Sequence, residues 1–243
     1  MILALPIPLS HVHTLVIIPT YNEAANIGQL IERIFALYPA FDILIVDDSS
    51  PDGTAGIVRH LQPRYGDHLH VVVRGGKGGR GSAVVEGCRW ALQRDYDLVF
   101  EMDADFSHRP EEMRDVLECI RSCDVVVGSR YLPGSRIEGW SRKRALFSRL
   151  ANGYARTLLR IPITDYTNGF RCYTRKALQV LDLDAIKAQG YIVLSEIAYQ
   201  LHRKGMRIRE VPTIFVNRRR GASNLRAREI YEAFFSILLI RWR

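Results

Sequence analysis

The segment DLVFEMDAD, residues 97–105, joins a run of strand-forming residues to two carboxylates on alternate positions. Asp103 and Asp105 can therefore chelate one hard divalent cation, and Mg²⁺ or Mn²⁺ prefers such oxygen ligands. These cations usually share their coordination shell with substrate phosphates. The segment predicts a buried strand followed by a short acidic loop that holds a metal ion on a diphosphate.

Two other strand-like runs also end in acidic or polar residues. The run DILIV at 42–46 leads into DDSSPDG at 47–53, and TLVII at 14–18 leads into PTYNE at 19–23. In an open α/β sheet, ligands bind outside the carboxyl ends of the strands. We therefore expect five carboxylates at one edge of the sheet: Glu23, Asp47, Asp48, Asp103 and Asp105. Such a concentration of like charge is tolerable only if a metal or a polar ligand compensates it.

The first half of the chain alternates between strands and helices. Apolar residues at helical spacing over 24–37 continue the first strand into a βα unit, and a second helix begins near Gly53. The pattern then predicts strands at 69–73 and 125–128 and helices at 82–92 and 111–120. Alternation at this spacing predicts an α/β fold with a mostly parallel central sheet and helices on both faces.

The pattern changes after residue 130. A long polar stretch is followed by a basic helix from about 143 to 159 and by the segment TDYTNGFR at 164–171. Further on, the sequence predicts a helix at 195–204, an extended segment at 208–216 that Pro212 interrupts, and a terminal helix at 225–243. We expect a single domain spanning 1–243, in which about 130–224 builds the acceptor side.

The two halves of the chain differ most in charge. Residues 1–129 carry 11 basic and 18 acidic side chains, whereas residues 130–243 carry 23 and 8, so the halves hold charges of −7 and +15. The acidic half suits a metal, and the basic half suits phosphates, anionic lipid or nucleic acid. A content of 47% hydrophobic residues is enough for a full core and excludes a disordered chain.

The sequence carries no recognisable targeting or membrane-spanning segment. Residues 1–9 are apolar but lack a basic start and contain Pro6 and Pro8, which is atypical of a signal peptide. No apolar run reaches the roughly 18 residues that a spanning helix needs. The four cysteines lack paired spacing and fit reduced thiols. We expect a cytoplasmic protein.

The glycine-rich loop GGKGGRG at 75–81 leaves two interpretations open. Gly76, Gly78 and Gly81 fit the G-x-G-x-x-G fingerprint of dinucleotide-binding proteins, and Glu101 lies 20 residues beyond. However, the loop follows the third strand rather than the first, and the aspartates would have no role in hydride chemistry. A loop that closes near a substrate phosphate or base fits better, with a plain tight turn as the alternative.

Five strings occur in order along the chain: VIIPTYNEAANI at 16–27, VDDSSPDGTA at 46–55, MDADFSH at 102–108, VVGSRY at 126–131 and TNGFRCY at 167–173. Together they resemble the polyprenyl-phosphate sugar synthases among the family 2 glycosyltransferases, and in particular the dolichyl-phosphate mannosyltransferases. The resemblance covers roughly residues 14–230. It implies a GT-A type nucleotide-sugar-binding fold, with the nucleotide-sugar and metal half at about 14–129.

The resemblance also implies where a nucleotide-sugar donor would bind. Pro19, Tyr21 and Glu23 would contact the base and ribose, and Asp48 would lie against the nucleoside. The implied donor set is completed by Lys77 and Ala104.

The same resemblance implies a metal, a catalytic set and an acceptor site. Asp103 and Asp105 would bind Mg²⁺ or Mn²⁺, with the short side chain of Ser107 as a third ligand through a water. Arg130 joins the two aspartates in the implied catalytic set. Binding of phosphates and of the acceptor would fall to six residues: Arg144, Ser148, Asp165, Arg171, Arg218 and Arg220.

The chain departs from the family pattern at two positions. Asn217 stands where an aspartate more often precedes the arginine, and Asn224 stands where a lysine is usual. The missing lysine puts a local phosphate contact in doubt, which Arg220 or Arg226 would have to replace.

The implied chemistry needs no conventional base. A phosphate monoester has a second pKa of about 6, so an acceptor phosphate is largely dianionic at neutral pH and is already a nucleophile. The protein has to align it with the anomeric carbon and neutralise the departing nucleoside diphosphate. We predict inverting transfer of a hexose, with mannose from GDP-mannose favoured, to a dolichyl or polyprenyl phosphate.

Other functions stay open at this point. The same fold could use UDP-glucose or another nucleotide sugar, or a saccharide acceptor. A nucleic-acid-binding module is compatible with an isoelectric point near 9.5. However, RNA-binding motifs are absent and the basic residues are not interleaved with aromatic ones, so we do not expect nucleic acid as a partner.

A lipid acceptor requires contact with a membrane surface. The predicted helix at 225–243 has a broad apolar stripe and arginines at both ends, so it could lie in the membrane interface. Packing of this helix onto the sheet is the alternative. We expect a peripheral protein at the cytoplasmic membrane face, alone or with a membrane-anchored partner.

Overall fold

A computed structural model describes residues 12–188, 190–217 and 227–242 of the chain. The strands are β1 Thr14–Thr20, β2 Asp42–Asp47, β3 Leu69–Val73, β4 Leu98–Glu101, β5 Val125–Ser129, β6 Arg136–Glu138, β7 Arg171–Thr174, β8 Ile208–Pro212 and β9 Ile214–Val216. The helices are α1 Ile27–Leu37, α2 Thr54–Tyr65, α3 Arg80–Leu92, α4 Met113–Ile120, α5 Arg142–Leu159, α6 Arg175–Gln179, α7 Ile192–Arg203 and α8 Ala227–Trp242.

Seven strands form the central sheet, in the order β3-β2-β1-β4-β7-β5-β8. Four of its six strand pairs are parallel, which confirms the prediction of a mostly parallel sheet. The exception is β7, which runs antiparallel to both β4 and β5. The sequence analysis did not predict β7, since four residues after a glycine-containing segment give too short a pattern. Two further short strands, β6 and β9, pair in parallel away from the main sheet.

Helices cover both faces of the sheet, as the sequence predicted. The side chains of β1 alternate between the faces: Val16 and Ile18 pack with α1 and α4, whereas Leu15 and Ile17 pack with α3 and α7. Burial on both sides explains why the central strands read as continuous apolar runs. On one face α3 approaches β1 closely at Gly87, where an added Cβ would lie 2.6 Å from Ile17.

The C-terminal helix packs against the rest of the protein. Ile237 and Ile240 of α8 are buried in a third apolar cluster with residues of α5 and α7. The Tyr154 ring of α5 lies 4.4 Å from that of Phe234, and its hydroxyl donates to the Phe234 carbonyl. The sequence left open whether this helix packs on the core or faces a membrane, and the structure shows that one face of α8 packs.

Candidate active site

A cleft of about 190 Å³ opens at the carboxyl ends of β1, β2 and β4. It is lined by all eight residues predicted to bind the donor or to supply two carboxylates to a metal: Pro19, Tyr21, Glu23, Asp48, Lys77, Asp103, Ala104 and Asp105. They come from three strand ends and the glycine-rich loop, which meet because the three strands run parallel. The position of the cleft follows the general rule for ligands in open α/β sheets.

The two adjacent aspartates at the end of β2 lie in different environments. Asp47 is buried and accepts hydrogen bonds from the Thr20 hydroxyl and from the amide and hydroxyl of Ser50, at 2.8, 2.8 and 2.6 Å. Asp48 reaches the cleft. Asp47 lies at the predicted edge of the sheet, but hydrogen bonds within the fold satisfy its charge, so it needs no ligand to compensate it.

The glycine-rich loop closes over Asp48. Arg74 donates from Nη1 to Asp48 Oδ1 at 2.6 Å, and the Gly79 amide donates to Oδ2 at 2.7 Å. Gly79 has φ of +83°, which a side chain would make costly. Lys77 of the same loop lies over the Tyr21 ring, with Nζ 3.9 Å from its centroid. The loop therefore forms one wall of the cleft, which favours its interpretation as a ligand loop over a plain turn.

His108 fixes the loop that carries Asp103 and Asp105. The Asp103 amide donates to Nδ1 of His108 at 3.2 Å, so Nε2 carries the proton and donates to Asn168 Oδ1 at 2.7 Å. Asn168 in turn donates to the Gly128 carbonyl at 2.6 Å. His108 is fully buried. It belongs to the string MDADFSH, but no role was predicted for it.

Ser107, predicted as a third metal ligand, lies beside Asp105 without lining the cleft. Its amide donates to Asp105 Oδ1 at 3.0 Å, and its buried hydroxyl has no hydrogen-bond partner among the described residues. Two carboxylates and a nearby hydroxyl are hard oxygen donors of the kind that suit Mg²⁺ or Mn²⁺. The residues present therefore fit such an ion.

Arg80, which the sequence analysis missed as a site residue, reaches the same carboxylates. It is the first residue of α3, and its Nε donates to Asp103 Oδ1 at 2.7 Å while Nη1 lies 2.8 Å from Glu101 Oε1. Burial alone would lower the pKa of Arg80, but Asp103 and Glu101 raise it above its ordinary value. Glu101 is buried and also accepts from the Tyr173 hydroxyl. Glu101 therefore pairs with Arg80. It does not act as the acidic residue that the dinucleotide fingerprint requires.

Arg130 and Asp165 form a buried ion pair. Arg130 donates from Nε and Nη2 to the two carboxylate oxygens at 2.7 and 2.8 Å, and its amide donates to Oδ2 at 3.0 Å. Nη2 also donates to the Thr167 hydroxyl at 2.8 Å. The pair ties the end of β5 to the segment before β7. The sequence predicted both as ligand-site residues, and the structure brings them together with their forked contacts directed at each other.

Arg171 is fully buried, and its guanidinium group is directed at main-chain oxygens. Its three nitrogens donate to the carbonyls of Asn168, Leu194 and Tyr166 at 2.9, 2.7 and 2.9 Å. It therefore holds the backbone of the segment before β7 in place. The prediction that Arg171 shapes a pocket is compatible with this indirect role.

Arg144 and Ser148 lie on α5, outside the donor cleft. The Arg144 guanidinium stacks over the Trp140 ring at 4.3 Å and donates to Asn217 Oδ1 at 3.0 Å. The Ser148 hydroxyl lies 2.6 Å from that of Tyr131. Two other predicted acceptor residues, Arg218 and Arg220, lie outside the described residues.

Comparison with known proteins identifies the family. Residues 15–182, well over half of the chain, match Glycosyl transferase family 2. The chain belongs to glycosyltransferase family 2. This confirms the resemblance drawn from the five strings and excludes a dehydrogenase.

Two curated relatives of this glycosyltransferase cover nearly all of it. A polyprenol monophosphomannose synthase of Mycolicibacterium smegmatis is 40% identical over 225 residues, covering 92% of this chain and 85% of the relative. An undecaprenyl-phosphate mannosyltransferase of Micrococcus luteus is 39% identical over 232 residues, covering 94% and 95%.

Solved structures of lower identity share the fold of this glycosyltransferase. A glucosyl-3-phosphoglycerate synthase from Mycobacterium tuberculosis, in complex with Mn²⁺, UDP and glucosyl-3-phosphoglycerate, has a TM-score of 0.68 at 19% identity and covers 96% of this chain and 80% of that one. A mannosyl-3-phosphoglycerate synthase from Rubrobacter xylanophilus has a TM-score of 0.63 at 21% identity, covering 94% and 72%. The predicted GT-A fold is thereby confirmed.

Proposed function

We propose that this glycosyltransferase transfers mannose from a nucleotide sugar, with GDP-mannose favoured, to a polyprenyl or dolichyl phosphate, with inversion at the anomeric carbon. The observation that carries the proposal is the likeness to two lipid-phosphate mannosyltransferases over more than nine-tenths of the chain. The cleft supports it, because its carboxylates, aromatic ring and glycine loop are what a nucleoside diphosphate sugar requires.

The donor would lie along the cleft from Tyr21 to Asp105. The exposed Tyr21 ring offers a stacking surface for the base, and Asp48, oriented by Arg74 and Gly79, offers acceptors to the nucleoside. Asp103 and Asp105 would hold Mg²⁺ or Mn²⁺, which when bound neutralises charge on the departing diphosphate. The described residues contain no group of three or more His, Cys, Asp or Glu side chains around one point, so substrate oxygens and water would complete the shell.

The acceptor phosphate would bind beside Trp140. The Trp140 indole N–H is buried and has no hydrogen-bond partner within the part of the chain that the structure describes. The guanidinium group of Arg144 lies 4.3 Å from its ring centroid. A buried donor beside a cation suits an oxyanion. The phosphate oxygen attacks the anomeric carbon directly, and no base on the protein is required.

A membrane surface would receive the apolar side chains that α5 and α8 leave exposed. Leu146 and Leu150 on α5 are 60% and 62% exposed, and Phe235, Leu239 and Trp242 on α8 are 49%, 54% and 85% exposed. Arg142, Arg149 and Arg156 are exposed on the same helix, which suits anionic lipid. None of the described helices is long and apolar enough to cross a bilayer. Peripheral binding at the cytoplasmic face, alone or beside a membrane-anchored partner, follows from the proposal.

Transfer of label into lipid tests the reaction. Purified protein is incubated with Mn²⁺ or Mg²⁺, a polyprenyl phosphate and radiolabelled GDP-mannose or UDP-glucose in parallel. We expect label from GDP-mannose to enter the lipid phase and Asp105→Ala to abolish it. Asp95→Ala, which changes an almost fully exposed carboxylate at the other end of β4, is the matched control.

The outcomes separate the parts of the proposal. Transfer only from UDP-glucose would keep the mechanism and change the donor. Transfer that persists after chelation of divalent cations would overturn the proposal that the reaction requires a metal. If the folded protein instead labels a soluble phosphate ester and transfers no label to lipid from either donor, the proposal that the acceptor is a lipid phosphate is overturned.

Flotation with vesicles tests the membrane surface. We expect the protein to bind vesicles that contain anionic lipid and the double variant Leu146→Ser with Leu150→Ser to bind less. A variant that binds equally well would place the membrane contact elsewhere. Leu37→Ser, on a partly exposed leucine of α1, is the control.

A further inference from the structure

We propose that Arg80 is a resident cation of the metal site, which holds Asp103 in the metal-free enzyme and releases it when a divalent cation binds. The inference rests on the proposed metal-dependent function. It concerns a residue outside the predicted site and assigns it control over the affinity of the site for metal.

The first observation is that Arg80 is hydrogen-bonded to Asp103, which a metal would need as a ligand. Its Nε donates to Asp103 Oδ1 at 2.7 Å, and the side chains of Arg80 and Asp103 are only 13% and 17% exposed. Charges this close and this little solvated interact strongly. A divalent cation on the same oxygen would also be repelled by the guanidinium, so the two cations exclude each other there.

The second observation is that the protein leaves space for the guanidinium. An added Cβ at Gly169 would lie 1.9 Å from Nη2 of Arg80 and 3.4 Å from Asp103 Oδ1. The Tyr191 ring, on the other wall of the cleft, lies 5.4 Å from the guanidinium carbon. Glycine at 169 is therefore what allows Arg80 to reach Asp103.

The third observation is that the contact is incomplete and so can be exchanged. Nη1 and Nη2 of Arg80 are buried but make no hydrogen bond of acceptable geometry with the described residues, although Nη1 lies 2.8 Å from Glu101 Oε1. The close approach to Glu101 is thus an ion pair with poor alignment. When Asp103 turns to a metal, Arg80 can align better with Glu101 and remain neutralised.

Removal of Arg80 should therefore strengthen metal binding. Arg80→Leu frees Asp103 but leaves Glu101 buried without its cation, which endangers folding. The double variant Arg80→Leu with Glu101→Leu removes both charges and avoids that defect. Gly169→Ala keeps both charges and pushes the guanidinium away, and Arg80→Lys keeps a cation at the position.

The test is a Mn²⁺ titration followed by the electron paramagnetic resonance signal of free Mn²⁺, with no nucleotide present and with folding checked by circular dichroism. We expect Arg80→Leu and the double variant to bind Mn²⁺ at least about tenfold more tightly than wild type. Gly169→Ala should lie in between, and Arg80→Lys should stay close to wild type.

Two results would overturn the inference, and they differ in what else they remove. Mn²⁺ that binds wild type and the folded double variant equally, or binds the variant less tightly, would overturn the role of Arg80 while the metal site stands. Mn²⁺ that binds neither form any better than Asp105→Ala, both without nucleotide and in a second titration with GDP present, would overturn the metal site itself, and the role of Arg80 with it.

Discussion

The two halves of the molecule each contain an arginine buried against an aspartate, and the two pairs are built differently. Arg130 matches both oxygens of Asp165 with its fork, and backbone amides add to them. Arg80 gives Asp103 a single aligned hydrogen bond and faces Glu101 without alignment. The first pair is complete and serves the backbone, whereas the second is incomplete and lies where a ligand would bind. Completeness of hydrogen bonding, rather than burial, separates a structural charge pair from one in a site.

The largest effect that would test this contrast is on stability. Asp165→Asn leaves Arg130 buried without its counter-ion, so we expect a loss of about 3–5 kcal/mol in the free energy of unfolding at neutral pH. Urea unfolding measures it. Asp95→Asn, at a side chain that is 98% exposed, should change stability by less than about 0.5 kcal/mol. A loss no larger than that of the control would contradict a structural role for the Arg130 pair.

The pH dependence of the same variant sharpens the contrast. Burial alone would raise the pKa of Asp165, but Arg130 and backbone hydrogen bonds hold it below its ordinary value. A carboxylate with a depressed folded-state pKa stabilises fully above its unfolded pKa of about 3.9, and this stabilisation is lost as the pH falls through the folded pKa. The stability gap between wild type and Asp165→Asn should therefore be constant near neutrality and shrink below about pH 4. A gap that persists unchanged into acid would mean that the lost stability is not ionic.

A second, smaller effect concerns how firmly the loop that carries Asp103 and Asp105 is held. His108→Phe keeps the ring contacts with Phe170 and Phe215 but leaves the Asp103 amide and Asn168 Oδ1 without their partner. We expect activity to fall about 10- to 100-fold, as for other residues that orient metal ligands. Steady-state kinetics measure it, with His70→Phe, on β3 against Trp90, as control. Unchanged kcat and KM would show that the turn at Asp105 suffices to hold the loop.

A third effect should appear in nucleotide binding. Arg74→Leu removes the cation beside Asp48, and the uncompensated carboxylate would then repel a diphosphate. We expect the dissociation constant of GDP, measured by calorimetry, to rise about tenfold, or about 1.4 kcal/mol. Arg64→Leu changes an exposed arginine of α2 and should leave it unchanged. If both variants bind GDP equally well, Asp48 is not part of the nucleotide site.

The smallest effect should come from an exposed ion pair. Arg33 of α1 and Glu111 are about half exposed and contact each other directly. Because water screens such charges, Arg33→Ala should lower the free energy of unfolding by less than about 1 kcal/mol, measured by urea unfolding. A loss comparable with that of Asp165→Asn would contradict the distinction between exposed ion pairs and the buried Arg130–Asp165 pair.

Local patterns predicted most of the fold. The strand at 69–73 was predicted at its observed bounds, and those at 14–18 and 42–46 were short by one or two residues, because apolar runs bounded by polar loops are strong signals. Several helices begin earlier than predicted, among them α3 at Arg80 and α7 at Ile192. The strand β7 was missed because its four residues give too short a pattern.

The candidate site, like the fold, was predicted in part. The carboxyl-end rule and the quoted strings predicted eight residues for the donor and the metal, and the structure brings these eight together in one cleft, since side chains at the ends of adjacent parallel strands must meet. They could not show that Asp47 turns inward, that Arg80 reaches Asp103, or that Arg130 and Asp165 bind each other. Each of these contacts joins side chains from separate elements.

By itself, the sequence determined the α/β alternation, the acidic edge of the sheet and the likeness to lipid-phosphate sugar transferases, because these depend on local periodicity and on strings of adjacent residues. Only the tertiary structure decided which charged side chains pair with other residues inside the fold and which face the cleft. The reason is that a charge is satisfied by whatever lies within about 3 Å of it. For Arg80 and Asp103, 23 residues apart, that neighbour is set by how α3 and β4 pack.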